Sequence, residues 1–345
     1  QKNYPIAKAD MFSVFIEKMI ELTSDIGYIG MITMHSWMFL SNFEKLRKEI
    51  QNHTIINMAH LGTRAFGDIG GEVVQTTTFI LQKAKREEYL GSYERLVDYG
   101  SQDDKENMYL EMVSGKDDND IYYVDQSNFD KIPGSPIAYW ANIKLYQLFT
   151  KNKILNEIGH SFQGIITGNN NYYLRKWYEI ENHVLKLDLN NDNYRTYNNI
   201  WVPYNKGGTY RKWYGNNDFV LRWENYGNGL TRSRNENNQY YFKKGITWSF
   251  LSSTHFSCRY FPEGYLWDVS GSSYFTSSQY LNRVLGLLNS KVAKYILDIL
   301  NPTMNYQVMN IIALPFIDCN CEILVKKCIN VSKQDWDAFE TSWDF

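Results

Sequence analysis

Residues 203–217 bring together side chains suited to holding a polyanion. Lys206, Arg211 and Lys212 supply positive charge, Trp213 and the neighbouring tyrosines supply flat faces, Asn205 and Asn216 supply amides, and Gly207 with Gly208 allows a tight turn. Cations neutralise phosphates, amides and guanidinium forks read base edges, and aromatic faces stack on unpaired bases. The same chemistry recurs in Arg175, Lys176, Arg232 and Arg234, which are phosphate or guanine-edge candidates. Asn169 and Asn170 join Asn205 and Asn216 as residues able to pair with an adenine edge. Asn is also a turn residue, so fewer than half of these amides are expected to read bases. Trp177, Trp201, Trp213 and Trp223 have faces that can stack on bases. Large aromatics more often fill cores, and Trp223 and Trp248 are expected there.

The net charge of −2 conceals a division along the chain: residues 1–150 carry −6, residues 151–260 carry +7 and residues 261–345 carry −3. A basic middle segment is either a footprint for a polyanion or a solvated face. A carbohydrate-binding protein would account for the 27 Tyr and 10 Trp but not for the +7 segment.

The 345 residues suggest two domains with real cores, and 43% hydrophobic against 21% charged composition excludes a disordered chain. Cys258, Cys319, Cys321 and Cys328 lack a zinc-ribbon spacing and read as free thiols of a reducing compartment. No signal peptide is evident, and no apolar run reaches the roughly 18 residues of a membrane span, so a cytoplasmic protein without membrane partners is expected. Both ends look cut, which suggests an excised fragment.

The elements that must position these residues fall into two styles. Asp10 caps a helix with an apolar face of Met11, Phe12, Phe15, Ile16, Met19 and Ile20, and Gly27 ends it. Residues 28–34 are short, apolar and strand-like. Ser41 to Glu44 has the pattern of a capping box opening a second helix. Residues 54–60 and 73–81 read as strands and, with no helical pattern between them, are expected to pair antiparallel. This alternation predicts part of an α/β sheet. Residues 84–132 turn polar and read as a connection, closed by the breaker at 131–136. Beyond 139 the pattern is mixed: short helices at 143–150 and 154–158, short strands separated by Asn and Gly, one long helix over 281–300, and a closing strand at 311–316. His35 and His60 end two successive strands. No third ligand stands at a suitable spacing, so they read as structural histidines and no metal is expected.

Several stretches, in order, resemble a known family. Lys8 to Phe12 opening a helix, then Gly27 to Trp37, is similar to the middle of an amino-methyltransferase domain. Ala65 to Glu72 leading into Val73 to Ile80 resembles the loop and strand bordering a flipped adenine. Gln163 to Asn170, Tyr173 to Trp177, Tyr204 to Asn216 and Gly245 to Ser249 resemble target-recognition regions of restriction-modification proteins. Leu287 to Ser290, Asn301 to Thr303 and Leu314 to Phe316 are similar to the end of such regions. Together they resemble the PglX family of adenine-specific DNA methyltransferases of BREX phage-defence systems.

The resemblance implies a partial Rossmann-like class I methyltransferase sheet followed by a mixed α+β recognition domain. Its divisions would be residues 1–83 for the second half of the S-adenosylmethionine-dependent domain and 84–138 for an acidic connection. Residues 139–318 would recognise DNA, and 319–345 would begin a further segment. Double-stranded DNA and other BREX proteins are the implied partners. Asp10 and Phe12 would line the cofactor site, or Asp10 only caps its helix. Phe66 would stack on the target base, or is a packed core aromatic. The glycine-rich cofactor loop and the Asn-Pro-Pro-Tyr element that holds adenine N6 do not occur in these residues, so the chain alone is expected to be inactive. Two rivals remain: a fused type II restriction-modification enzyme and a DNA-binding module without catalysis.

Overall fold

Helix α1 (Met11–Leu22) buries Ile16 and Ile20 and leaves Met11, Phe15 and Leu22 exposed. It ends at Thr23, whose backbone N–H donates to Met19 O; Gly27 lies in the turn that follows. In this computed structural model, which describes residues 4–67, 74–233, 235–252, 254–301 and 305–345, the chain forms two compact units, Gln1–Thr150 and Lys151–Phe345.

The first unit is built on one sheet. Its strands are β1 (Tyr28–Met34), β2 (Thr54–Gly62), β3 (Thr76–Gln82), β4 (Leu90–Arg95) and β5 (Ile121–Asp125), in the order β1-β3-β2-β4-β5. β3 runs antiparallel between β1 and β2, as its sequence position implied, so β1 and β2 point the same way. β4 joins β2 in parallel and β5 returns antiparallel to β4. Helix α2 (Glu44–Ile50) follows a single 3-10 turn at Ser41–Phe43, and neither start is capped by a side chain, so the expected capping box does not form. Glu44 pairs with Lys48 at 2.7 Å instead.

Residues 84–132 are not a mere connection. They supply β4, α3 (Gln102–Val113) and β5, and Tyr93 is fully buried in the core with Ile29, Trp37, Met58, Phe79 and Tyr139. Charge hides this: Lys105, on the polar helix α3, is 3% exposed and donates to the carbonyls of Leu96 and Tyr99, both at 2.6 Å. Arg47 behaves alike. It is 1% exposed, and its guanidinium donates to Trp37 O, Leu40 O and Gly134 O at 2.7–2.9 Å, fastening the proline-rich segment to the sheet. The unit closes on α4 (Ile143–Lys151).

The second unit holds two four-stranded sheets. One contains β6 (Gly159–Phe162), β10 (Gly245–Trp248), β11 (Cys258–Phe261) and β13 (Ser273–Thr276); the other contains β7 (Leu174–Lys176), β8 (Ile200–Asn205), β9 (Phe219–Trp223) and β12 (Leu266–Trp267). Their shared core is mostly aromatic: Tyr204, Trp223, Tyr241, Phe242, Phe261, Trp267 and Phe275. Trp223 and Trp248 are both buried, as expected, and the Trp248 indole N–H donates to Tyr306 O at 2.9 Å.

The single helix expected over 281–300 is two, α6 (Ser278–Leu288) and α7 (Lys291–Leu300), after the short α5 (Asn170–Tyr173). Asn289 breaks it because its amide exchanges two bonds with the Cys258 backbone, and Ser290 then caps α7 through Ala293 N. The strand expected at 311–316 does not form: Ile311 and Ile312 end the helix α8 (Val308–Ile312), a turn follows, and Pro315 bridges to Ile154. A short apolar run does not distinguish the two conformations. Residues 319–345 belong to the same compact unit, through α9 (Glu322–Asp337) lying on α6. The approach is close enough that a Cβ on Gly286 would sit 2.8 Å from Cys321 Sγ.

Candidate functional site

Two groups of side chains carry chemistry, one in each unit. In the first, β1 and β2 run the same way on either side of β3, and a loop leaves β2 and returns to β3. The loop begins at Gly62, whose φ of +68° suits glycine, and a β-bulge separates it from His60. It comes back at Gln75, whose carbonyl accepts from His35 N at 2.9 Å. The two feet of the loop therefore stand on His60 and His35.

The histidine rings meet directly. His35 Nδ1 lies 2.8 Å from His60 Nε2, and His60 Nδ1 lies 3.0 Å from the Tyr139 hydroxyl. Phe39 sits edge-on to His35 and Trp140 stacks on His60. Burial favours the neutral form of both rings, lowering His35 to about 4; His60 is lowered by burial first and then by His35, Arg95 and Lys105 nearby. Among the described residues no group of three or more His, Cys, Asp or Glu side chains could hold a metal ion.

Phe66 stands on the loop, 40% exposed, so it is not a core aromatic. Residues 68–73 of the loop motif lie outside the described residues. Asp10 precedes α1 and is exposed, and its carboxylate makes no cap bond. Phe12 is half-buried with its ring 5.4 Å from Phe43.

In the second unit, the sequence candidates are drawn into internal contacts. Asp268, 3% exposed, organises the Gly207-Gly208 turn. Lys206 Nζ and the Tyr204 hydroxyl reach its Oδ2 at 2.7 and 3.0 Å, and Ser270 N donates to its Oδ1 at 2.8 Å. That carboxylate and burial raise the Tyr204 hydroxyl well above the usual phenol range, burial being the larger cause. Gly207 is required because its φ is +87° and a Cβ would meet Ser270 O at 2.7 Å. Arg211 pairs with Asp335 at 2.9 Å and lies over Trp336, while Lys212 donates to Asn289 O at 2.8 Å. Lys176 pairs with Asp218 and sits 3.8 Å over Phe219. Arg175 donates to the carbonyls of Asn171 and Leu174.

The amides serve turns. Asn169 caps α5 through Tyr172 N, Asn170 accepts from Thr167, and Asn216, at φ +61°, donates to Thr209 O. Asn205 is 2% exposed, and its Nδ2 has no partner among the described residues. Trp213, Trp177 and Trp201 are half-buried, the second donating to Thr341 O. What faces outward is the turn tip, Gly208 to Tyr210, and Arg232, which is exposed and makes no ion pair among the described residues. Arg234 lies outside the described residues.

No local pattern marked Asp268 or Tyr139 as organisers, nor Arg259. The last is 1% exposed, its Nε and Nη1 are without partners among the described residues, and burial lowers it to about 10. One acidic or basic residue in a polar stretch reads as solvated, and only the fold reveals otherwise.

Residues 1–66 match the family model described as Eco57I restriction-modification methylase. The fold is shared with two solved restriction-modification enzymes. One is a nuclease-deletion mutant of the Type ISP enzyme LlaGI, with a TM-score of 0.51 at 14% identity, covering 95% of this chain and 31% of that one. The other is the Type IIL enzyme MmeI, with a TM-score of 0.51 at 8% identity, covering 96% and 45%. The class they define is α/β with mixed sheets.

More particularly, the whole chain is 42% identical to the adenine-specific methyltransferase PglX of Lacticaseibacillus casei (strain Zhang). It is 37% identical, again over its whole length, to the adenine-specific methyltransferase BrxX of Escherichia coli O9:H4 (strain HS). The PglX resemblance carried by the motifs is thereby borne out. The chain spans 30% and 28% of those relatives. No helix among the described residues is long and apolar enough to cross a membrane.

Proposed function

We propose that these residues are the second half of a class I methyltransferase sheet together with a DNA target-recognition unit. The whole protein would methylate adenine N6 in a BREX or restriction-modification system. The observation that carries this reading is the 42% identity, over the whole of this chain and 30% of the relative, to an adenine-specific methyltransferase. The sheet supports it: an antiparallel β3 inserted between parallel β1 and β2, and an apolar α1 face of Met11, Phe15 and Leu22 left exposed where further structure would pack.

S-adenosylmethionine, when bound, supplies an electrophilic methyl carbon. Asp10 fits a role beside it, since its carboxylate is exposed and unspent on a cap, with Phe12 as the apolar neighbour. A base buried in a duplex cannot reach that carbon, so the adenine must be flipped, at a cost of a few kcal/mol. Phe66 offers an exposed ring to stack on the flipped base. In the second unit, Arg232 is the exposed candidate for contact with DNA; Asn169, Asn170, Arg175, Lys176, Lys206, Arg211, Lys212 and Trp213 would reach it from their internal contacts, Arg234 is proposed on its sequence position alone, and the buried Asn205 and Asn216 shape the turn. The internal pairing of the loop cations shapes the turn before DNA arrives, and Arg232 is free to meet phosphate at once.

Lacking an Asn-Pro-Pro-Tyr element, the 345 residues alone are inactive on this reading. The test is methyl transfer from labelled S-adenosylmethionine to DNA, with the full-length protein and this chain in parallel. Transfer to adenine N6 by the full-length protein alone is expected. Its absence with all partner proteins supplied would leave a binding module built on a methyltransferase scaffold.

A further inference from the structure

The histidine pair has a direction, and the direction fixes a proton. Tyr139 is 1% exposed, and the one hydrogen-bond partner of its hydroxyl among the described residues is His60 Nδ1. A buried O–H left without an acceptor costs more than a spare lone pair, so the hydroxyl proton goes to His60 Nδ1, 3.0 Å away. His60 then carries its own proton on Nε2 and donates it to His35 Nδ1 at 2.8 Å. His35, being neutral, is left with its proton on Nε2. The reverse sense would leave the Tyr139 proton buried without an acceptor among the described residues.

That outward N–H stands in a telling place. His35 follows β1 and His60 lies near the end of β2, two parallel strands, and α/β sheets bind ligands beyond the carboxyl ends of such strands. The loop rooted on both residues carries Phe66, the exposed ring. His35 is only half-buried, and its Nε2 has no partner among the described residues. Nothing in the core needs this donor. A purine, by contrast, offers ring nitrogens that can only accept.

We infer that His35 Nε2–H donates to a ring nitrogen of the target adenine, and that Tyr139 and His60 are positioning residues that keep the proton on that nitrogen. This rests on the adenine-methyltransferase reading and adds to it a base-contacting residue.

The experiment uses the full-length protein, with any partner proteins that transfer requires. Duplexes carry adenine, 1-deazaadenine, 3-deazaadenine or 7-deazaadenine at the target position. Wild type should lose rate with one of the three analogues. His35→Ala should lower kcat on adenine by on the order of a hundredfold, with the KM for S-adenosylmethionine unchanged. It should also treat that one analogue and adenine alike. His35→Gln, whose amide nitrogen stands near the place of Nε2, should keep more activity than His35→Ala and guards against a mere folding defect. Tyr139→Phe should lower kcat less and shift the acid limb of the pH profile, as expected when the tautomer is no longer fixed.

If wild type methylates adenine while His35→Ala matches it, or still discriminates among the analogues as wild type does, the inference falls and the functional reading stands. If wild type transfers no methyl to adenine, the functional reading falls and takes the inference with it.

Discussion

Lys206 Nζ lies 2.7 Å from Asp268 Oδ2, and the Asp268 side chain is almost wholly buried, so a cation in the most DNA-like stretch of the sequence is first a structural partner. Removing the ammonium leaves a buried carboxylate oxygen with only the Tyr204 hydroxyl. Losing one partner of a buried acceptor costs about 1–3 kcal/mol. Lys206→Ala should therefore lower the stability of the second unit by that amount in urea unfolding. An unchanged midpoint would show that the pair does not hold the turn.

Arg232 offers the contrasting case, being exposed and without an ion pair among the described residues. Arg232→Ala should leave unfolding unchanged and weaken binding to all DNA sequences alike. The slope of log affinity against log salt should become shallower by about one, the share of one phosphate contact. Sequence-dependent loss instead would assign Arg232 to a base edge.

Legibility from the sequence followed the local signal. β1, β2 and β3 were readable because apolar, β-branched runs are long there, and the antiparallel β2–β3 pairing followed from the lack of a helix between them. β4 and α3 were not readable, because Tyr93 and Lys105 sit among charged residues and only the fold buries them. At the site, the two histidines were visible as strand ends, but their partner Tyr139 lies 79 residues from His60. Likewise Asp268, 62 residues from Lys206, could not be paired with it from spacing alone. Cations were legible as types, not as free or paired.

Arg47 shows the same limit from the stability side. Its four bonds to the carbonyls of Trp37, Leu40 and Gly134 are made from a nearly inaccessible position, where burial lowers it to about 10. Arg47→Met fills most of the volume but leaves these oxygens without their donor. A loss of about 3 kcal/mol is expected, larger than for an exposed helix charge such as Lys48. Calorimetry checks it, and the transition that moves identifies the unfolding of the first unit.

That transition should also depend on pH through the histidine pair. Both His35 and His60 have folded values below the ordinary histidine value, so the unfolded chain binds their protons first as pH falls. Their contribution is complete above about pH 6.5 and is lost as pH falls toward 4, by about 1 kcal/mol per pH unit for each ring. Arg95 and Lys105 add to the effect by repelling a protonated His60. Glu94 works the other way, since burial raises its carboxyl, and its stabilising effect weakens as pH rises. It is common to wild type and to the His35→Gln, His60→Gln double variant, so the difference between the two isolates the rings. Wild type should lose more of its melting temperature between pH 7 and pH 5 than the double variant does. Equal losses would mean that the rings titrate in the folded chain as they do in the unfolded one; they would then not be held neutral, and the proton order assigned from Tyr139 to His35 would fall.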